Sequence, residues 1–220
     1  MTRTPASAAT NHRAVKSSIK SSGKTVDARR GDGPAPSRPV ISVFGSSQAR
    51  HGGQLYAAAH KMGELLGHAG FDLMTGGYKG VMEAASRGGH AAGAQVTGVT
   101  LERFRDRVNP YVMKEIRTAS FYDRLAYLVD RADGYVAMHG GIGTLAEVTF
   151  AWQEILVGMV SARPLVLVGE RWKRTFKSLR ANLIGARVMY QPIVIVATPE
   201  QAMEHLLTHF PRLASLPQSA

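Results

Sequence analysis

The chain contains no cysteine. Disulfides, thiolate nucleophiles and Cys-ligated zinc are therefore excluded, and a cytoplasmic setting is expected. No apolar run is long enough to span a bilayer and no signal-peptide core is present, so no membrane partner is expected. There is no G-x-x-x-x-G-K-[ST] phosphate loop, no H-E-x-x-H zinc helix and no Ser–His–Asp signature. Acidic residues are scarce: 16 Asp and Glu face 27 Lys and Arg, for a net charge of +11.

That charge invites a nucleic-acid reading, but its distribution weakens it. Residues 1–38 hold eight Lys and Arg against Asp27 and Asp32, so about half of the excess sits there. The stretch is rich in Ser, Ala, Thr, Gly and Pro and poor in large apolar residues. Such a segment cannot bury enough surface to offset its ordering entropy. It reads as a disordered basic tail, and any nucleic-acid contact is expected only through it. An acid-poor, Arg/Ser-rich tail also resembles an organelle transit peptide.

The remaining chain, with 45% hydrophobic residues overall, suffices for one core. A single domain is expected over 39–213, with a frayed end at 214–220. Val40–Phe44 is a short β-branched run that ends at Gly45-Ser46-Ser47, which reads as a buried strand and a turn. Leu55, Ala59, Met62 and Leu66 follow at helical spacing, with Gly67 and Gly70 expected to stop that helix. Further strands are expected at 71–75, 95–101, 114–118, 134–138, 164–168 and 193–196. Helices are expected at 80–92, 123–131, after Gly143, at 172–183 and at 199–209, with a loop over 102–113 crossing the site. Strands apolar throughout, alternating with amphipathic helices, indicate an α/β fold with a parallel sheet covered on both faces.

The strongest local feature is the run Met138-His139-Gly140-Gly141-Ile142-Gly143-Thr144 between a strand and a helix. Glycines let backbone approach an anion, and the helix start offers free N–H groups and the positive dipole end. Thr144 adds a hydroxyl and is expected to cap the helix. A tight turn without a ligand is the competing reading. Glu147 lies one turn into the helix and is expected to stay ionised there, as a base or a stabiliser of positive charge. A solvated first-turn glutamate explains its position equally well. Gly45-Ser46-Ser47 and Gly76-Gly77 are two more glycine turns that should reach the same sheet edge. A rival pattern is G-x-G-x-x-A at Gly141–Ala146 with Glu170 ending the next strand, which looks like a dinucleotide fingerprint, though the spacing is long. His205 and His209 lie four apart on one helix, and His139 adjoins the glycine turn; neither observation decides a role.

These residues resemble the LOG (LONELY GUY) family. The run Arg124…Gly140-Gly141-Ile142-Gly143-Thr144-Leu145-Ala146-Glu147 is similar to its Arg-Lys pair followed by P-G-G-x-G-T-x-x-E. Ser42–Ser47 looks like its first strand and turn, and Thr75–Met82 like its second glycine segment. The likeness runs from about residue 39 to 200. It implies a Rossmann-like, doubly wound single domain in a homodimer or larger homo-oligomer. It implies hydrolysis of a small nucleotide, AMP or a cytokinin ribotide, to free base and ribose 5-phosphate. Neither metal nor cofactor is implied; members are often mislabelled lysine decarboxylases, and nothing here suggests a pyridoxal phosphate site. By the resemblance, Arg124 and Glu147 are catalytic. Gly45, Ser46, Gly76, Gly77, Met82, Met138 and the residues Gly140, Gly141, Ile142, Gly143 and Thr144 bind substrate or its phosphate. The chain departs from the family at Leu125 (Lys in the family), His139 (Pro) and Glu83 (Gly). A nucleotide or cofactor carrier without catalysis and an NAD(P)-binding protein are the alternative functions.

Overall fold

The computed structural model describes residues 38–185 and 187–214. The expected basic tail lies outside the described residues except for Arg38, and the expected frayed end lies outside them except for Ala214.

Seven strands form one sheet: β1 (Val40–Phe44), β2 (Asp72–Thr75), β3 (Val96–Leu101), β4 (Lys114–Thr118), β5 (Gly134–Ala137), β6 (Leu165–Val168) and β7 (Ile193–Val196). Their order is β4-β3-β2-β1-β5-β6-β7 and every pairing is parallel. Helices α1 (Gln54–His68), α2 (Val81–Ala91), α3 (Phe121–Asp130), α4 (Ile142–Leu156), α5 (Glu170–Asn182), α6 (Pro199–His209) and α7 (Pro211–Ala214) connect and follow them. This is the Rossmann-like α/β fold expected from the alternation of apolar strands and amphipathic helices.

Side-chain alternation along each strand makes two cores. Ile41, Val43, Leu73, Val136 and Val166 pack under α1, α2 and α6. Phe44, Met74, Tyr135, Leu165 and Leu167 pack under α3, α4 and α5. The strand order reverses direction between β1 and β5. In open α/β sheets ligands bind at the carboxyl ends of the strands at such switch points.

Four details differ from the sequence expectations. Helix α1 runs through Gly67 to His68, because Gly67 is buried against α2 and its missing side chain leaves room for Ala92. Thr144 does not cap α4: Gly141 is the N-cap, in extended conformation, and Thr144 lies inside the helix. Ala214, counted with the C-terminal end, is the last residue of the short helix α7. Arg38, counted with the tail, donates to the carbonyls of Gly67, Gly70 and Gly93 at 2.8–2.9 Å. It also lies 3.6 Å from Asp72, so it belongs to the fold.

Candidate functional site

Three glycine turns meet at the carboxyl edge of β2, β1 and β5. Ser46, just past β1, is their common tie. Its N–H donates to His139 O at 3.2 Å, and its carbonyl accepts from Val81 N at 2.9 Å. Backbone hydrogen bonds thus join the Gly45 turn to the turn after β5 and to the start of α2, the helix that follows Gly76-Gly77. Gly140 is needed for closeness: a Cβ there would collide with Thr144 Oγ1 and lie 3.0 Å from Ser46 N.

Helix α4 starts at Ile142 with no side-chain cap, so its first N–H groups have no side-chain acceptor. Ile142 is 83% exposed at the tip of the turn. Met138 is placed differently: its side chain is buried in the core beneath α1, α2 and α6, and only its backbone adjoins the turn.

Glu147 projects from the first turns of α4 and is buried, which rules out the solvated alternative. Its Oε1 accepts from Arg124 Nη1 at 3.1 Å. Arg124 comes from the first turn of α3, whose N-cap Ser120 accepts from Asp123 N at 3.1 Å. Its Nε donates to Val99 O on β3 at 2.8 Å, which fixes the plane of the guanidinium. Burial pushes the Glu147 carboxyl above its ordinary range, against the pull of the Arg124 charge and hydrogen bond. The helix dipole alone suggested an easily ionised carboxylate; desolvation is the larger influence here.

Gly76 and Met82 belong to the same cluster. A side chain at position 76 would strike the Arg124 guanidinium and the Met82 sulfur. Gly77 adjoins them at the end of β2, where its N–H donates to Thr75 Oγ1 at 3.1 Å. Four strands, β2, β1, β5 and β3, therefore deliver the glycine turns and the Arg124–Glu147 pair to one edge.

The 102–113 loop does cross this edge. Asn109 anchors it, donating through Nδ2 to Gly77 O at 3.1 Å and to Tyr78 O at 3.0 Å. Phe104 is 55% exposed on the loop, with its ring 5.6 Å from that of Tyr78. Sequence reading missed both residues, because their partners lie a sheet away in the chain.

The family departures have distinct settings. Leu125 is buried on α3. Glu83 accepts from Tyr56 OH at 3.3 Å and pairs with His51 Nε2 at 3.0 Å, tying the loop before α1 to α2. His139 lies beside α5; burial, then Arg171 and Arg174, hold it below the ordinary histidine range. Glu170, the acid of the rival dinucleotide pattern, is exposed and pairs with Lys173 at 2.6 Å. His205 and His209 sit side by side on α6, and among the described residues no group of three or more His, Asp or Glu side chains is disposed to hold a metal. No helix among the described residues is long and apolar enough to cross a membrane.

The sequence profile of the SLOG cluster4 family matches residues 38–202. The chain belongs to that family. An uncharacterized protein of Archaeoglobus fulgidus is 30% identical over 131 residues, which is 60% of this chain and 85% of the relative. The cytokinin riboside 5'-monophosphate phosphoribohydrolase of Mycobacterium tuberculosis is 28% identical over 149 residues, 66% of this chain and 78% of that one. Among solved structures, the molybdenum cofactor binding protein of Rippkaea orientalis superposes with a TM-score of 0.66 at 25% identity, covering 80% of this chain and 99% of that one. The LOG resemblance of the motifs thus agrees with the family and with a named LOG-type relative. The SLOG cluster4 chain is similar in sequence to a named hydrolase and in fold to a named cofactor-binding protein.

Proposed function

We propose that this SLOG cluster4 protein hydrolyses the N-glycosidic bond of a nucleoside 5'-monophosphate, AMP or a cytokinin ribotide, to free base and ribose 5-phosphate. The observation that carries this reading is the buried Arg124–Glu147 pair, held at 3.1 Å beside an uncapped helix start. The 5'-phosphate sits on the Gly140–Thr144 turn, where N–H groups and the α4 dipole favour an anion. Gly45, Ser46, Gly76 and Gly77 form the adjoining walls, and Met82 packs beside the reacting ribose.

Cleavage of the C1'–N bond builds positive charge on the ribose. The Glu147 carboxylate, one turn from the phosphate, stabilises that charge and orients the attacking water. Water adds its oxygen to C1', the bond to the base breaks, and the base leaves with a proton. Arg124 keeps Glu147 ionised against its desolvation and orients it. Because burial raises this carboxyl, the acid limb of the rate profile should lie above the ordinary carboxylate range.

A second reading is a nucleotide or cofactor carrier without hydrolysis, supported by the name of the Rippkaea orientalis neighbour. A homodimer or larger assembly in the cytoplasm accompanies the first reading. It is supported by apolar surface around α3 and α4, where Tyr122, Ile142, Val157 and Met159 are exposed. Sedimentation at equilibrium tests that assembly.

The deciding experiment measures base release from AMP and from N6-isopentenyl-AMP, with Glu147→Gln as the control. The amide keeps an acceptor for Arg124 and removes the charge. Release by the wild type and a loss of at least ~100-fold in the variant support hydrolysis. No release by the wild type, with nucleotide binding intact, supports the carrier instead.

A further inference from the structure

On the β6 side of the Gly140–Thr144 turn, helix α5 carries Arg171, Lys173, Arg174, Lys177 and Arg180 against a single acid, Glu170. Glu170 is occupied by Lys173 at 2.6 Å. The Arg171 and Arg174 guanidiniums are exposed, and neither makes a hydrogen bond or ion pair with a described residue. They stand three apart, so both lie on one face of the helix.

The placement of α5 is fixed. Trp172, between the two arginines and buried, donates through Nε1 to Ala137 O at 3.1 Å. Ala137 ends β5, two residues before His139 and three before Gly140. The α5 start is thereby pinned beside the glycine turn. β6, which leads into α5, is paired beside β5, so the α5 start and the glycine turn leave neighbouring strand ends. His139, in the turn, is held below the ordinary histidine range first by burial and then by the charges of Arg171 and Arg174. Arg124 and Glu147 lie on the other side of the turn, toward β1, β2 and β3. A nucleotide whose first phosphate occupies the turn and whose ribose faces Glu147 would extend any further phosphate toward α5.

We propose that Arg171 and Arg174 form a second anion subsite, and that this chain binds nucleotides bearing a second phosphate, nucleoside 5'-diphosphates, more tightly than monophosphates. This deepens the proposed function and rests on its placement of the first phosphate at the glycine turn. Two guanidinium forks converging on one phosphate bind by charge-assisted, bidentate hydrogen bonds. A single exposed ion pair would contribute little.

The test is calorimetric titration of the full chain with AMP and with ADP at low salt. Controls are the double variant Arg171→Ser/Arg174→Ser and, on the remote helix α1, Lys61→Ser. ADP is expected to bind the wild type and Lys61→Ser at least tenfold more tightly than AMP. The double variant should bind both equally, with AMP affinity within twofold of wild type. Equal AMP and ADP affinity in the wild type, or an ADP preference surviving in the double variant, overturns the subsite. If AMP still binds in that case, the first-phosphate site stands and only this inference falls. If neither nucleotide binds, the phosphate placement falls with it.

Discussion

Replacing Arg124 by methionine isolates what the buried pair does for the fold. The change removes the partner of a carboxylate that is almost wholly desolvated and leaves Glu147 among apolar neighbours. Breaking a buried pair on one side costs about 3–5 kcal/mol. At roughly 2–4 °C per kcal/mol for a domain of this size, the melting temperature should fall by about 6–20 °C at neutral pH. The loss should depend on pH, because Glu147 can escape by taking a proton. Its folded carboxyl already lies above the ordinary value, and without Arg124 only desolvation remains, so it rises further. The native state then holds a proton that the unfolded chain has released. Stability is retained below the ordinary carboxylate range and is lost as pH rises toward the folded value. The slope is at most about 1.4 kcal/mol per pH unit. Urea unfolding at pH 5 and pH 8 should therefore show the larger loss at pH 8. The pair variant Arg124→Met/Glu147→Leu should recover much of it, since an apolar replacement of a buried pair is often neutral or better. A loss equal at both pH values, or a pair variant no more stable than the single one, would refute the reasoning. The same argument makes Arg124→Ala a poor probe of catalysis alone, and Glu147→Gln the better one.

Gly76→Ala should push the Arg124 guanidinium and the Met82 sulfur out of place, since the added Cβ meets both. Its kcat/KM for AMP should drop by more than about tenfold, in line with the sensitivity of catalysis to small misplacements, and an unaltered value would show that Arg124 position does not matter. Trp172→Phe removes the donor to Ala137 O and should cost about 1–3 kcal/mol in denaturant unfolding. A cost near zero would mean that α5 is held by packing alone. Burial pushes the Tyr135 phenol up to about 12, with Arg163 opposing. Its proton stays on in the folded state after the unfolded chain has lost it, so stability should decline as pH rises between about 10 and about 12. Tyr135→Phe should flatten that decline in thermal melts, and a parallel decline in the variant would assign it to another group.

Most strands were readable because they are short apolar runs that end at a glycine or polar turn, as Val40–Phe44 does before Gly45, whereas the edge strand β4, Lys114–Thr118, is mostly charged and exposed. The parallel order followed from helices covering both faces. The Arg124–Glu147 pair was readable only through the motif resemblance, because nothing in the spacing of 23 residues brings an arginine near the start of α3 to a glutamate in the second turn of α4. Its desolvation could not be read at all: the dipole argument considers one helix, and burial comes from the elements packed over it. Gly67 was misread as a stop because glycine serves close helix packing as well as helix ends. Arg38 was counted as tail charge because its three carbonyl partners lie 29 to 55 residues away. The α5 arginines carried no sequence signal beyond charge; the Trp172–Ala137 hydrogen bond gives them a location.

Ser46 has a consequence for motion. Its amide and its carbonyl are spent on His139 and Val81, one on each flanking segment. The Gly45 turn cannot swing outward without breaking its bond to the turn after β5 or to the start of α2, so these three segments should open only as a unit. Admission of a ligand then falls to the loop carrying Phe104, which Asn109 fastens at one end and whose tip faces solvent. Amide hydrogen exchange should separate the two, with Ser46 and Val81 exchanging slowly and residues 103–107 exchanging fast, making that loop the gate of an otherwise rigid vestibule.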